Sequence, residues 1–206
     1  MRTLHVSALA AALAVTGIAT AHADEAYPWV FKLGAHVVSP KSDNGTLAGG
    51  TLRADIDCDL KPTVTGEYLF TPNLGLEVLA SWPFQHELKP NGAKVATFKQ
   101  LPPTVSLQYH FLPDARVSPF LGLGLNYTHV FSERTYGPLA GTSLSVDDSW
   151  GVAAHAGVDV RFDARWLLTV DARWINIDAK AKANGTEVGK VHVDPWVYGV
   201  AVGYRF

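Results

Sequence analysis

Residues 62–82 read PTVTGEYLF-TPN-LGLEVLASW, two alternating runs joined by three turn-forming residues. In Pro62 to Phe70, Val64, Tyr68 and Phe70 share one parity, and Thr63, Thr65 and Glu67 share the other. From Leu74 to Trp82, Leu74, Leu76, Val78, Ala80 and Trp82 alternate with Gly75, Glu77, Leu79 and Ser81. A period of two over eight or nine residues is the signature of a strand with two unlike faces. Thr71-Pro72-Asn73 supplies the turn, so the pair reads as a hairpin. Glu67 and Glu77 lie symmetrically about Pro72 and are expected to face each other, bridged by Lys32 or an arginine.

The same rhythm extends in both directions. Trp29 to Val37 precedes the hairpin; Leu101 to Phe111, Pro119 to Tyr127, Trp150 to Phe162, Trp166 to Trp174 and Trp196 to Phe206 follow it. That makes eight strands, each near the length a tilted membrane strand needs. Short links (71–73, 112–116, 163–165) alternate with long ones (39–59, 83–100, 132–149, 175–195). Bacterial outer-membrane barrels have short periplasmic turns and long outside loops, which puts both termini in the periplasm. Asn44-Gly45, Asn91-Gly92 and Asn184-Gly185 are expected as turn tips within the long loops.

All six tryptophans carry the parity of the apolar face and sit at strand ends. Trp29 and Trp166 fall at the periplasmic edge with Phe70, Phe111, Phe162 and Phe206. Trp82, Trp150, Trp174 and Trp196 fall at the outer edge with Tyr127. Two aromatic girdles match the two interfaces of a bilayer, whereas a soluble barrel would turn its apolar face inward. The inward face carries Lys32, Arg161, Arg173 and Arg205 against Glu67, Glu77, Asp159 and Asp171. Eight strands leave a lumen that side chains can fill, and buried charges need partners, so an ion-paired plug is expected. The fold class is therefore all-β: an eight-stranded antiparallel transmembrane barrel with four longer extracellular loops.

The N-terminus fits export. Met1-Arg2, the apolar run Val6 to Ile18 and Ala21-His22-Ala23 read as a signal peptide over residues 1–23, leaving a mature barrel of residues 24–206. The chain's net charge of −2 offers no footprint for nucleic acid. Cys58 stands alone and is expected as a free thiol.

Several motifs, in order, resemble the OmpW family of small outer-membrane proteins. They are Phe70-Thr-Pro-Asn-Leu-Gly-Leu-Glu77 with Pro83-Phe84, Leu101-Pro-Pro-Thr104 with Gln108-Tyr-His-Phe111, and Asn126-Tyr-Thr128. Ser149-Trp-Gly151, Gly157-Val-Asp159, Asp194-Pro-Trp-Val-Tyr198 and the ending Gly203-Tyr-Arg-Phe206 extend the match from Trp29 to the C-terminus. The resemblance implies a narrow conduit for small hydrophobic molecules, with an apolar outer mouth and sideways release into the membrane. Outer-membrane lipid, small hydrophobic solutes and the barrel-assembly machinery are the implied partners. Leu79 matches a family position that narrows the path; packing against neighbours is the plainer alternative. Phe84 and Leu88, just above, either extend the mouth or cover the rim. Arg173 stands where some relatives place an aromatic, which makes the constriction more polar. Phe120 points inward near the periplasmic end, in a position to close the lower barrel. Neither Pro102 nor Pro103 can donate to the ladder, which suggests a lateral seam. Tyr204 and Phe206 resemble the terminal assembly signal of such barrels.

Other signals carry less. The six histidines outside the leader show no metal-ligand spacing, and Gly122-Leu-Gly124 lies within a strand. Ser81 and Ser149 lie near the outer edge without a base nearby, so no catalytic residue, cofactor or metal is expected. A structural or receptor-type barrel without transport remains the alternative to the conduit.

Overall fold

The computed structural model describes residues 28–41, 44, 46–47, 52–53, 56–89, 94–137 and 140–206. The expected leader, Gly45, Asn91 and Gly92 lie outside them. Among the described residues fifteen strands run in chain order: β1 Trp29–Ser39, β2 Thr46–Leu47, β3 Leu52–Arg53, β4 Asp59–Leu69, β5 Leu74–Ser81, β6 Phe84–Leu88, β7 Ala96–Leu101 and β8 Thr104–His110. They continue with β9 Val117–Thr135, β10 Leu144–Val146, β11 Ser149–Arg161, β12 Trp166–Ile175, β13 Asp178–Ala183, β14 Thr186–His192 and β15 Trp196–Arg205.

Eight of these close a barrel in the order β11-β12-β15-β1-β4-β5-β8-β9, with β9 pairing back to β11. All the barrel pairs are antiparallel. All eight strands expected from the alternation are present. Followed rung by rung, the circuit leaves β11 at Arg161 and returns to it at Gly151. This stagger is the strand tilt that closure requires.

The faces are inverted relative to a soluble protein. Along β8, Thr104, Ser106, Gln108 and His110 are buried, while Val105, Leu107 and Tyr109 are exposed. Leu123 and Trp150 are each 73% exposed. Such a surface is stable against hydrocarbon and costly against water, which is why the chain alternates in this phase. The periplasmic turns are held by their own side chains. Thr71 Oγ1 accepts from the amides of Asn73 and Leu74, and Asp163 Oδ1 from those of Arg165 and Trp166.

The structure departs from the alternation in two places. The long outer connections are built largely of strands, not loops. β6 and β7 form a hairpin that extends the wall through β9, and β10, β13, β14, β2 and β3 form a separate five-stranded sheet. The run Leu101 to Phe111 is also interrupted, because Pro102 and Pro103 leave a gap between β7 and β8. Asn184 and Gly185 form the expected two-residue turn of the β13–β14 hairpin, with φ of 50° and 83°.

Candidate functional site

The barrel interior divides into a polar plug and, outside the membrane, an apolar cap. In the plug, β4 and β5 bring Glu67 opposite Glu77. Lys32 Nζ lies 3.4 Å from Glu67 and 3.5 Å from Asp159. Arg173 Nη2 donates to Glu77 at 2.7 Å and lies 3.7 Å from Asp171. The two acids are thus each matched to a different cation, as an ion-paired interior requires. Arg161 and Arg205 depart from the expected pairing. They sit at the periplasmic mouth around a cavity of about 20 Å³ with Val30, Leu69 and Leu167, and Arg161 donates to the Pro113 carbonyl.

Histidines take the places left over. His110 Nε2 meets Glu67 at 2.7 Å, and His36 bridges Thr63 at 2.7 Å and Asp171 at 3.0 Å. His155 lies 3.6 Å from Glu77. Sequence reasoning discounted these three as scattered, although their inward parity was the available signal. Two glycines make room for the rings. A methyl group added at Gly122 or Gly199 would collide with the ring of His155 or His36 respectively. Phe120, 2% exposed, lies within the plug, its ring 5.7 Å from those of His110 and His155 and 5.4 Å from Lys32 Nζ. Its charges meet across the lumen, so the described side chains there are largely polar.

Above the plug the interior changes character. Val38, Ala153, Ile175 and Val197, from the barrel's upper ends, join Phe84, Leu88, Val95, Ala96, Ile177, Ala181, Val191 and Val193 in one buried cluster. Phe84 and Leu88 therefore belong to the cap core, 2% and 7% exposed. A cavity of about 30 Å³ lies within the cap, bordered by Leu88, Phe98, Val130, Ile177 and Val193 among others. Leu79, 6% exposed, stands between the two regions, two residues beyond Glu77 on β5. Arg173 belongs to the plug rather than to the cap.

The wall itself lapses beside Leu79. The β5–β8 ladder ends at Leu79↔Thr104, and pairing resumes between β6 and β7 at Phe84↔Gln100. Residues 80–83 and 101–103 face each other across this interval. On the other side, β7 and β8 keep one register on β9, with Leu101↔His129 and Thr104↔Asn126. The Pro103 carbonyl accepts from the Tyr127 amide at 3.1 Å. Since the N–H and C=O of a strand residue point to the same side, Pro102 turns its donorless nitrogen toward β5.

A profile of the OmpW family matches residues 28–206. The chain belongs to the OmpW family. Outer membrane protein W of Escherichia coli (strain K12) is 34% identical over 214 residues, covering 100% of both chains. The crystal structure of the outer membrane protein OprG from Pseudomonas aeruginosa superposes with a TM-score of 0.76 at 33% identity, covering 86% of this chain and 95% of that one. The dibenzothiophene metabolism operon protein PahQ of Pseudomonas aeruginosa is 27% identical over 118 residues, 56% of this chain and 54% of its own. This OmpW-family barrel is an integral protein of the bacterial outer membrane, and its relatives are barrel proteins rather than enzymes.

Among the described residues, one cluster has metal-ligand chemistry. Asp178, His192 and Asp194 of the OmpW-family cap bring ligand atoms within 4.8 Å of one another. Asp194 is already bonded to Lys41 at 2.7 Å, Asn176 at 3.0 Å and the Ile177 amide at 3.1 Å. The cluster reads as a hydrogen-bonded brace at the hairpin base. At the periplasmic edge, Tyr204 packs edge-on against Phe206 at 4.9 Å and accepts from Arg165 at 2.8 Å.

Proposed function

We propose that this barrel admits small hydrophobic molecules from outside through the cap and releases them sideways into the membrane at the Leu79–Pro102–Pro103 interval. The observation that carries this reading is the contact of three features: an apolar cap, a charged plug blocking the lumen beneath it, and a break in the ladder between the two. A solute entering the cap meets the plug's carboxylates and ammonium below, and an unpaired stretch of wall beside it. Desolvating those ions is unfavourable, whereas hydrocarbon lies directly across the wall. Leu79 marks the turning point in this path, and Phe84 and Leu88 line its approach. Arg173 and Phe120 close the lower route. The name of PahQ, with its reference to dibenzothiophene metabolism, points to an apolar solute class.

At about 30 Å³ the resting cavity holds one water-sized group, so passage requires the cap side chains to part. That filled cap is also the observation favouring a structural or receptor-type barrel. Uptake of a labelled hydrophobic compound by cells lacking the protein, then restored with wild type or Leu79→Asp, separates the two. Rescue by wild type and failure of a correctly inserted Leu79→Asp support the conduit. Equal uptake with and without the protein refutes it and leaves the receptor reading. Export by cleavage after residue 23 and assembly through Tyr204 and Phe206 belong to the same proposal.

A further inference from the structure

Arg161 and Arg205 are the last residues of β11 and β15, the two strands that flank β12. Both keep the inward parity of their strands and turn into the periplasmic mouth. There they border the cavity of about 20 Å³, together with Leu167 from the intervening β12. Among the described residues, the one hydrogen bond of the Arg161 side chain goes to the Pro113 carbonyl. Arg205 has neither a side-chain hydrogen bond nor an ion pair among those residues, and its Nε is buried without an acceptor.

Two like charges around one cavity repel unless a negative group offsets them. Asp159 borders the cavity, but its oxygens are engaged elsewhere. Oδ1 accepts from the Thr169 hydroxyl at 2.5 Å and lies 3.5 Å from Lys32, and Oδ2 lies 3.7 Å from His110. The other plug acids are matched as well, Glu67 by Lys32 and His110, Glu77 by Arg173 and Asp171 by His36. No described carboxylate forms an ion pair with either guanidinium. The mouth therefore carries two cations whose counter-charge the described protein does not supply at contact distance.

We propose that the periplasmic mouth is an oxyanion site in which Arg161 and Arg205 together hold one phosphate group. Planar guanidinium forks donate parallel hydrogen bonds that match phosphate oxygens, and Arg205 Nε supplies a donor already removed from water. A dianion offsets both charges, whereas chloride offsets one and cannot span two forks. The cavity admits one oxygen, and the rest of the group faces the periplasm. Val30, Leu69 and Leu167 make the lumen side of the contact apolar, which strengthens it. The phosphate is either free in the periplasm or carried by a lipid headgroup of the inner leaflet, which has only the short turn Asp163-Ala164-Arg165 to reach over. The site is independent of the uptake route, because the plug separates it from the cap.

The test follows the Nε–H magnetic resonances of Arg161 and Arg205 in the intact barrel, held in phosphate-free maltoside micelles. Inorganic phosphate is titrated in one arm, phosphatidylglycerol in a second, and sodium chloride at matched ionic strength in a third. The expected result is a saturable shift of the Arg205 resonance in the first or second arm and none with chloride. The arm that responds identifies the source, free phosphate or headgroup. Arg161→Gln is then read on Arg205, and Arg205→Gln on Arg161. Loss of one charge-assisted hydrogen bond raises the dissociation constant about tenfold or more in each. Heat-modifiable gel mobility shows that the variants are folded, and the wild-type titration decides the matter if they are not. No saturable shift with phosphate or with the lipid overturns the site. An equal response to chloride overturns it too, as an adventitious ion only, and so does unchanged affinity in both folded variants.

Discussion

Replacing Arg173 with Met tests whether the plug is held by charge pairing or merely filled. Arg173 is 2% exposed, 2.7 Å from Glu77 and 3.7 Å from Asp171. At an effective dielectric constant of about 20, the closer contact alone is an attraction of roughly 6 kcal/mol before desolvation is subtracted. The substitution roughly keeps the volume but leaves Glu77, among the described residues, with His155 3.6 Å away and the more distant charge of Lys32. Stranding one member of a buried pair destabilises by about 3–5 kcal/mol. Removing both members, as Arg173→Met/Glu77→Gln, is expected to lower stability by less than about 2 kcal/mol, because no uncompensated charge remains. Urea unfolding in lipid vesicles, followed by tryptophan fluorescence, gives both numbers from the midpoint and slope. The reasoning fails if Arg173→Met loses less than about 1 kcal/mol. It fails equally if the double variant loses the sum of the two single ones, since independent sites add and a pair does not.

Three further expectations follow from particular residues. Pro102→Val/Pro103→Val restores one donor facing the lapse, at residue 102, and another facing β9, and is expected to slow uptake of an apolar solute several-fold, while leaving the barrel's heat-modifiable gel mobility intact; unchanged uptake would count against a lateral seam. Ser132 has φ 57° within β9, where the pairing with β7 shifts register. Ser132→Val is expected to destabilise by about 1–2 kcal/mol because a β-branched residue resists that conformation, and Ser132→Gly to be neutral or better, as read from unfolding midpoints. His86 is held below its unfolded value of about 6.5 chiefly by burial, against the Asp57 carbonyl and the charges of Asp59 and Asp57, with Lys61 pushing the same way as burial. The unfolded chain then takes up the proton first, so cap stability is fully present above about pH 6.5 and is lost as pH falls through the folded value. Amide exchange in β6 should accelerate below pH 6.5 in wild type and stay flat in His86→Phe.

The membrane part of the fold was legible because a bilayer imposes a rule on every strand. One face must be apolar, so period two persists through Leu121-Gly-Leu-Gly-Leu125 as clearly as through Trp196 to Phe206. The pairing of Glu67 with Glu77 was legible for the same reason, since a turn of known length fixes the register. The cap was not legible. Its strands are short or stand in water on one side, so Asp178-Ala-Lys-Ala-Lys-Ala183 alternates small with charged residues and carries little hydrophobic signal. Its core is assembled from segments far apart in the chain, such as Phe84, Ile177 and Val193, each with only a few apolar positions. Pro102 and Pro103 were legible as an interruption between β7 and β8, because a missing donor is a local fact.

β9 is a single strand of nineteen residues. At about 3.3 Å per residue it is roughly 60 Å long. A tilted strand crosses the hydrocarbon in about 9–11 residues. Close to half of β9 therefore rises clear of the bilayer as a mast, and the cap is carried at its top. On the uptake route proposed above, a solute arriving from water would first meet protein standing above the headgroups, so its rate of encounter would depend on diffusion to the cap and not on partitioning through the outer leaflet.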